Sequence, residues 1–484
     1  MKKKLLLLFT ALCLIVCSVP FAGMALTRSE EPLGNETKAE LPSITDKNGS
    51  FDPTYFQQLG GYFEKTFALR PQMINADASI QSGVFLTSNL DTVVTGTDGW
   101  LYYSSTLDDY LGRNRLSKRS INSIVQNLEM VQHYVESQGA SFVFTVAPNK
   151  NTLYPEHMPY YYTAGAEDKK NITAFESALK KSSLNYCNLF ELFKGSEETL
   201  YLKQDSHWNN KGALMAYNKI MDSAGKEHND FQGVKPVREK SFTGDLAKML
   251  YPVSAQPEYN YSYGLESSYS YKTPTKSVED AMIRTESNNG SGSLYMVRDS
   301  FGNSLLPFFA SQYQSAYFTK AYPVNLQLDM LTQKPDTVVF EIVERNLKWL
   351  AENPPVIPSS ELVDSSGFPL KTITDGFESS DQKTTATAAV SEVNMQYIKC
   401  SGTVPEKLCT DDSRLYLKTI GTDGKTRLYA AYGITTQDTD CAFTAYLPAA
   451  ELPADKLTFS VVIDDGGKKT ELAETKIKIK SADI

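Results

Sequence analysis

The sequence contains few histidines, and this scarcity limits the chemistry that it can carry. Among 484 residues there are four, His133, His157, His207 and His228. A metal site built on three histidines is therefore disfavoured, and a histidine general base has few candidates. His133 lies in a predicted helix and His228 in a polar turn, so we expect both at the surface. His157 follows a strand, where a structural role in the loop is favoured over a place in a site.

Cysteine shows no metal-binding pattern either. Two of the six cysteines, Cys13 and Cys17, lie in an apolar N-terminal segment. The other four are Cys187, Cys400, Cys409 and Cys441. Their spacing is not that of a zinc site, and we predict neither a metal nor a cofactor. In an exported protein Cys400 could form a disulfide with Cys409 or Cys441, and free buried thiols are the equally open alternative.

A basic surface is absent as well. The formal net charge is -9, which disfavours a nucleic-acid partner because such binding needs cationic side chains that displace counterions. Hydrophobic residues make up 41% and charged residues 22% of the chain, an ordinary globular mixture. Tyrosine and phenylalanine are plentiful and could stack on sugars. Large rings dominate core burial in general, so core packing is the favoured interpretation.

The N-terminus carries an export signal. Residues 2–4 are lysines, residues 5–17 form an apolar run, and small residues follow up to Ala25. This is the layout of a secretory signal. No charge occurs between Lys4 and Arg28, so the stretch is also long enough to remain as a membrane anchor. Both alternatives stay open, and both predict that the rest is extracellular or held at the outer face of the cytoplasmic membrane.

Shifts in composition divide the chain into five regions. Residues 1–25 form the signal or anchor, and residues 26–90 a polar linker followed by an amphipathic helical arm from about residue 51. Residues 91–353 alternate helix and strand patterns. Residues 354–375 form a linker that begins with prolines and serines. Residues 376–484 hold short alternating strand patterns with turns between some of them, which predicts an all-β, sandwich-like domain.

The middle region predicts an α/β fold. Patterns of buried strands occur at residues 141–147, 184–189, 293–297, 314–319 and 337–343. Helical patterns lie between and after them, for example at residues 171–181, 209–221 and 303–310. This alternation predicts an open, mostly parallel sheet with helices on both faces. Residues 234–288 are less regular, and we expect them to form loops over one end of the sheet.

His207 is the strongest candidate for a general base. Asp205 precedes it by two residues and could orient the imidazole through one ring nitrogen, which leaves the other free to take a proton. A plain structural interpretation also exists. Asp205 or Ser206 could simply cap the following helix, because both residue types accept hydrogen bonds from free N–H groups at helix starts.

Ser300 is the matching candidate for a nucleophile. It follows the strand pattern at residues 293–297 and precedes a helical pattern, so its hydroxyl is expected at the carboxyl edge of the sheet. The N–H groups of the helix start would face a developing oxyanion. A serine needs a base, which His207 supplies. The alternative is a helix cap, and the segment is not a Gly-x-Ser-x-Gly elbow. Together, Ser300, His207 and Asp205 favour a catalytic triad.

Several motifs in one order support this interpretation. They are FALR at residues 67–70, GTDGWLY at 96–102, APNK at 147–150 with YPE at 154–156, DSHW at 205–208, GDL at 244–246, VRDSFG at 297–302 and ERNL at 344–347. This order resembles the DHHW proteins and the AlgX- and AlgJ-type alginate O-acetylation proteins, over about residues 51–350. The resemblance implies an SGNH-hydrolase-like domain in which Asp and His precede Ser.

The resemblance also implies roles and partners. Ser300 would be the nucleophile, His207 the base and Asp205 its orienter. The activity implied is an extracytoplasmic O-acetyltransferase that modifies a secreted or cell-surface polysaccharide. A membrane-bound O-acyltransferase would deliver the acetyl group, and the C-terminal β domain would bind glycan. A carbohydrate acetyl esterase with the same triad, or a non-catalytic glycan-binding or assembly scaffold, are the alternatives.

The chain departs from the family at three places. Ser206 replaces the second residue of the DHHW segment, and Arg298 stands where SGNH hydrolases have glycine. Residues 319–322 lack the arginine of the family's Asp-x-Arg-Tyr stretch. The predicted oxyanion and substrate-binding residues are Lys150, Asn303, Arg345, Arg298 and Trp208. For Lys150, Asn303 and Arg345, a structural cap or ion pair is an equal alternative.

Overall fold

The computed structural model describes residues 2–24, 26, 37–163, 170–321, 324–361, 378–466 and 468–481. Several predicted features lie outside these residues. They are the end of the signal segment at Ala25, most of the linker before residue 37, Tyr322, and residues 362–377 of the second linker and domain start. Within the described residues, one helix, Lys3–Gly23, is long and apolar enough to cross a membrane. Its mean hydropathy is 2.6.

Helices and strands alternate through the middle of the chain. The helices are α1 (Lys2–Gly23), α2 (Tyr55–Thr66), α3 (Arg70–Ile80), α4 (Leu107–Tyr110), α5 (Lys118–Ser137), α6 (Lys150–Leu153), α7 (Tyr160–Thr163), α8 (Asn171–Leu179), α9 (Leu189–Lys194), α10 (Asn210–Ser223), α11 (Asp245–Leu250), α12 (Gly302–Gln312), α13 (Leu326–Gln333) and α14 (Leu347–Glu352). The strands of the same region are β1 (Val93–Thr95), β2 (Leu101–Tyr103), β3 (Ser141–Ala147), β4 (Tyr186–Cys187), β5 (Val237–Phe242), β6 (Glu258–Ser262), β7 (Ser270–Tyr271), β8 (Met282–Glu286), β9 (Ser293–Val297), β10 (Ser315–Thr319) and β11 (Thr337–Val343).

The central sheet has seven strands in the order β4-β3-β11-β9-β10-β8-β7. The first five run parallel, which confirms the predicted open parallel sheet. β8 pairs antiparallel with β10, and β7 antiparallel with β8. Together with α11 and the paired strands β5 and β6, they correct the prediction that residues 234–288 form loops over one end of the sheet. β8 joins the edge because Ile283 and Thr285 alternate with more exposed neighbours, the pattern of a half-buried strand.

Helices cover both faces of the sheet. Alternate side chains of each central strand enter different cores, as the period of two requires. In β3, Phe142 and Phe144 face the core that contains α5 and α8, whereas Val143 faces the core that contains α9, α10 and α12. Both faces of the strand are therefore buried, and this explains its continuous apolar sequence.

The C-terminal unit is all-β, as predicted. Its strands are β12 (Glu378–Ser380), β13 (Thr385–Val390), β14 (Tyr397–Thr403), β15 (Arg414–Ile420), β16 (Thr426–Ile434), β17 (Ala442–Pro448), β18 (Lys456–Asp464), β19 (Lys469–Leu472) and β20 (Thr475–Lys480). β20 pairs with both β13 and β18, so the sheet closes on itself.

The β unit packs against α5. Tyr416 and Tyr432 belong to the same buried core as Ile124 and Leu128 of α5. Polar contacts reinforce this interface, and the guanidinium of Arg119 donates to the carbonyls of Thr410, Ser413 and Asp440. The β unit therefore covers one face of the α/β domain. It leaves the carboxyl edge of the central sheet open.

Two local predictions change in the structure, and for the cysteines one of the two open alternatives is observed. The helical arm is two helices, because Leu69 adopts a left-handed conformation at φ 63° between α2 and α3. The strand pattern at residues 184–189 is strand only over β4, since the side chain of Asn188 caps α9 by accepting from the N–H groups of Phe190 and Glu191. All six cysteines are free thiols, and Cys400 is buried in the β core.

Candidate active site

Ser300 lies in a tight turn between β9 and α12. Asp299 holds this turn, because its carboxylate accepts the N–H of Phe301 at 2.9 Å and the N–H of Val343 at 2.6 Å. Gly302 follows, and a Cβ there would lie 2.6 Å from the Cβ of Arg298. Only glycine fits this close approach, so the turn places the Ser300 hydroxyl at the carboxyl edge of the sheet.

His207 comes from the loop before α10. That helix is capped by Asn209, whose side chain accepts the N–H of Gly212 at 3.0 Å. The capping interpretation of Asp205 and Ser206 is therefore wrong for α10. Their side chains are free to serve the imidazole instead.

The three predicted triad residues meet at hydrogen-bond distance. The Nε2 of His207 lies 2.8 Å from the Oγ of Ser300. The Nδ1 of the same ring lies 2.7 Å from the Oδ1 of Asp205. Asp205 is buried, and the His207 side chain is 19% exposed. This arrangement can transfer the serine proton to the imidazole while the aspartate orients the ring.

The charges of this cluster set the basicity of His207. Burial disfavours the imidazolium, but the hydrogen bond and charge of Asp205 outweigh it and, with the charge of Asp245, raise the pKa of His207. Burial would raise the pKa of Asp205, yet the hydrogen bond and charge of His207 hold that pKa below its ordinary range. Asp205 is therefore ionised at neutral pH.

Aromatic packing fixes the position of the His207 imidazole. The Phe301 ring lies 4.8 Å from the imidazole of His207 and 5.0 Å from the indole of Trp208, which meets it edge-on. Trp208 is fully buried. The prediction that Trp208 contacts substrate is thus corrected, because its side chain lies beneath the site in the core.

Lys150 also lies beneath the site. Its ammonium donates to the carbonyls of Leu202, Lys203 and Asp205 at 3.0, 3.0 and 2.5 Å. Burial lowers the pKa of Lys150 to about 8, even though Asp205 and Asp245 oppose that change. All three donor positions are used by the loop that carries Asp205. The predicted oxyanion role is corrected on this ground, and Lys150 is a positioning residue.

Arg298 is buried as well and holds the nucleophile turn. Its guanidinium donates to the side chain of Asn303 and to the carbonyls of Val278 and Asp280. Asn303 in turn donates to Glu279 at 2.6 Å. Direct substrate binding by Arg298 is therefore excluded by burial. Asn303 reaches the surface of the site with its amide already committed to these two partners.

A groove of about 770 Å³ opens above Ser300. Its lining combines rings with polar groups and includes Tyr103, Phe242, Tyr263, Phe308, Asn303 and Arg345. The Arg345 guanidinium lies over the rings of Tyr103 and Phe301, 5.5 and 6.0 Å from their centroids. Within the part of the chain that the structure describes, no carboxylate oxygen lies within 4 Å of the Arg345 guanidinium. Its charge is available to an anionic group in the groove.

The other three histidines lie away from the triad. His157 stacks on Trp100, with ring centroids 4.6 Å apart, in accord with a structural role in its loop. His228 packs edge-on against Tyr217. His133 is part of α5. His207 is therefore the only one of the four within reach of Ser300.

Sequence reasoning missed the contribution of Asp245 to the site. This residue begins α11, and its carboxylate lies 3.9 Å from the Nδ1 of His207. The motif at residues 244–246 was the available signal, but it gave no hint of spatial proximity across 38 residues. Ligand-type atoms of Asp205, His207 and Asp245 all lie within 4.8 Å of one another, a spacing that a metal ion could use. Each is already hydrogen-bonded within the protein, so we interpret the cluster as part of the triad.

Comparison with protein families finds a match over part of this domain. Residues 93–290 match the family described as "SGNH hydrolase-like domain, acetyltransferase AlgX". This range contains Asp205, His207 and Asp245 and ends before Ser300. No curated protein matches the chain in sequence.

Solved structures that match the chain include proteins of three bacteria. PatB1 of Bacillus cereus is 18% identical, covers 53% of this chain and 96% of its own, and has a TM-score of 0.43. A DHHW family protein of Eubacterium siraeum is 15% identical, with coverages of 53% and 95% and a TM-score of 0.39. AlgX of Pseudomonas aeruginosa is 13% identical, with coverages of 78% and 90% and a TM-score of 0.36. The family match over residues 93–290 confirms the resemblance to AlgX-type proteins that the sequence predicted.

Proposed function

We propose that this protein is an exported serine O-acetyltransferase that moves acetyl groups to hydroxyls of a secreted or cell-surface polysaccharide. The observation that carries the proposal is the continuous hydrogen-bonded line from Ser300 through His207 to Asp205, at 2.8 and 2.7 Å. A hydroxyl, a base and a buried carboxylate in this order form an activated nucleophile. The AlgX family match supports acetyl transfer as the reaction.

The first half-reaction loads the enzyme. His207 takes the proton of Ser300 as the serine oxygen attacks the carbonyl carbon of an acetyl donor. The tetrahedral intermediate collapses, the donor's oxygen leaves with the proton from His207, and the acetyl group remains on Ser300 as an ester. The negative charge of Asp205 stabilises the imidazolium that exists between these two proton transfers.

The second half-reaction unloads the enzyme onto sugar. His207, again neutral, removes the proton of an acceptor hydroxyl, and that oxygen attacks the ester on Ser300. Collapse of the second intermediate returns the proton to Ser300 and releases the acetylated sugar. The acceptor must exclude water from the ester while it reacts, and a groove filled by a sugar chain achieves this.

We propose that two groups stabilise the oxyanion. The backbone N–H of Ser300 is one, because it lies at the turn before α12, whose N-terminus presents further N–H groups. Arg345 is the other, since its guanidinium lines the same groove beside Phe301. Of the five residues predicted for oxyanion or substrate binding, Arg345 and Asn303 line the groove without being fully buried, which supports such contact.

The source of the acetyl group and the cellular location of the protein form part of the same proposal. The apolar helix Lys3–Gly23 supports export, with the helix either cleaved or kept as an anchor. A membrane-bound O-acyltransferase would supply the acetyl group outside the cytoplasmic membrane. We also propose that residues 378–481 bind glycan. The residues that line the groove at Ser300 all lie between positions 103 and 345, outside the β unit. The β unit would therefore hold the polymer at a distance from the reacting hydroxyl.

Two alternatives differ from this proposal in chemistry. An acetyl esterase would use the same triad with water as the acceptor. A non-catalytic scaffold would not require Ser300 within reach of His207, so the 2.8 Å contact supports an enzyme over a scaffold.

One experiment distinguishes the acetyltransferase from the esterase and from the scaffold. The full-length protein in detergent is incubated with p-nitrophenyl acetate, and the acetyl group is located by peptide mass spectrometry. We expect acetylation of Ser300 and its transfer to some oligosaccharides in a panel of uronate-containing, neutral and amino-sugar polymers. Hydrolysis without transfer to any polymer favours the esterase. No acetyl-enzyme and no turnover from any activated ester would favour the scaffold.

A further inference from the structure

A second carboxylate is linked to the imidazole of His207. Asp245 stands at the first residue of α11, which docks on the loop that carries the triad. Gly244 permits this approach, because a Cβ there would lie 2.1 Å from the carbonyl oxygen of Gln204. The N–H of Ala247 also donates to that carbonyl at 3.1 Å. Asp245 is therefore held against the triad by backbone contacts as well as by its side chain.

Ser206 connects Asp245 to His207. Its hydroxyl lies 2.6 Å from the Oδ2 of Asp245 and 3.1 Å from the Nδ1 of His207. The backbone N–H of Ser206 donates to the other oxygen of Asp245 at 2.8 Å. A carboxylate only accepts hydrogen bonds, so the Ser206 proton points to Asp245. What Ser206 offers to Nδ1 is then a lone pair.

This arrangement decides which ring nitrogen carries the proton. Nδ1 faces two acceptors, the carboxylate of Asp205 and the lone pair of Ser206, so the proton resides on Nδ1. Nε2 is left without a proton and can accept from Ser300. If the Ser206 hydroxyl were free to turn, it could donate to Nδ1 and favour the opposite tautomer, which cannot act as the base.

Asp245 also supports Asp205 directly. The N–H of Asp245 donates to the Oδ2 of Asp205 at 2.8 Å, while the Oδ1 of Asp205 accepts from the ring and the N–H of His207. Both oxygens of the triad carboxylate are therefore engaged. Rotation of Asp205 away from the ring would break these bonds.

We propose that Asp245 is a positioning residue that, through Ser206, fixes the tautomer of His207 and holds a second negative charge beside the imidazolium formed during acyl transfer. The inference rests on the proposed function. It deepens that function by making the base a unit of four side chains in which Asp205 and Asp245 act together.

The charged groups around His207 set the expected sign of a pH effect. Asp205 and Asp245 face the ring from the loop and from α11, Arg345 from the segment after β11, and Glu279 from the segment before β8. Burial lowers the pKa of His207, the two aspartates raise it, and Arg345 lowers it. Removal of the Asp245 charge should therefore make the imidazolium less stable and lower the pKa of His207.

The experiment compares Asp245→Asn, Ser206→Ala and the double variant in the full-length protein, with turnover of p-nitrophenyl acetate measured across pH. We expect Asp245→Asn to lower kcat about tenfold and to move the acid limb of kcat/KM to lower pH by about one unit. Ser206→Ala keeps both carboxylates, so it should lower kcat with a smaller shift. The double variant should lose less than the product of the single losses, because both changes break one relay.

A merely structural role for Asp245 predicts a different result. Lower activity at every pH, with an unmoved acid limb and a lower melting temperature, would overturn the proposal. Asp91→Asn is the matched control. Asp91 is exposed just before β1, so this substitution removes one negative charge at a position away from the site. If wild type and Ser300→Ala are equally inactive, the proposed function fails. The tautomer is then read by ¹⁵N NMR of labelled histidine, where an unchanged His207 signal in Asp245→Asn overturns the inference.

Discussion

The Oγ of Ser300 and the Nε2 of His207 lie 2.8 Å apart although 93 positions separate them in the chain. Ser300 lies in the turn after β9, and His207 lies in the loop whose carbonyls bind the ammonium of Lys150. The contact therefore depends on two supports that are distant in sequence.

Removal of the nucleophile should abolish turnover. Ser300→Ala is expected to reduce the kcat for p-nitrophenyl acetate by at least about a thousandfold, because no other hydroxyl is activated by His207 in the described site. Ser311→Ala is the matched control, since Ser311 lies further along α12 and its hydroxyl donates only to the carbonyl of Phe308. Comparable activity in the two variants would contradict a serine mechanism.

The pH dependence should show a neutral base. Protonated His207 cannot accept the proton of Ser300, so kcat/KM must rise with pH as the imidazolium loses its proton. Because the pKa of His207 is raised, the midpoint should lie above about 6.5, the ordinary value for histidine. A pH series of initial rates measures it. A midpoint well below the ordinary histidine value would show that Asp205 and Asp245 do not act on the ring as charges.

The orienting carboxylate should be nearly as important as the base. Asp205→Asn keeps the shape of the side chain but can donate to Nδ1 and favour the wrong tautomer, so we expect a loss of about a thousandfold or more in kcat. Asp222→Asn, in an exposed position of α10, serves as control and should keep full activity. A loss below tenfold for Asp205→Asn would mean that the ring is oriented by other contacts.

The buried ammonium of Lys150, beneath the loop that carries Asp205, should support both activity and stability. Lys150→Met leaves three carbonyls without their donor, and each unsatisfied buried group costs roughly 1–3 kcal/mol. We expect a lower melting temperature and a loss of kcat with little change in KM for a small ester. Lys180→Met, at an exposed position after α8, should change neither quantity. Normal kcat in a destabilised Lys150→Met would limit its role to folding.

The interface with the β unit should be separable from catalysis. Arg119 is buried and donates to three carbonyls of the β unit. Arg119→Ala should lower the free energy of unfolding by about 3 kcal/mol, because these carbonyls lose charged donors. Turnover of p-nitrophenyl acetate at 25 °C should be unchanged, since the groove contains no described residue of the β unit. Reduced turnover in the folded variant would reveal coupling between the two units.

Local pattern was sufficient for much of the fold. The strands β3, β9 and β11 are buried on both faces, and their continuous apolar sequences identified them. The antiparallel edge formed by β7 and β8 was not predicted. Those strands are short and only partly buried, and their place in the sheet depends on pairing, of β8 with β10 and of β7 with β8.

The sequence by itself determined the strand-to-helix junction at Ser300, the Asp205 and His207 pair, and the apolar N-terminal helix, because each rests on neighbours within a few residues. Only the tertiary structure decided which polar residues reach the groove. Lys150, Arg298 and Trp208 looked like substrate contacts but are buried supports, and Asp245 joins the triad through Ser206 across 38 residues of chain. Burial and long-range contact arise from packing between elements, and the spacing of residues along one element does not encode them.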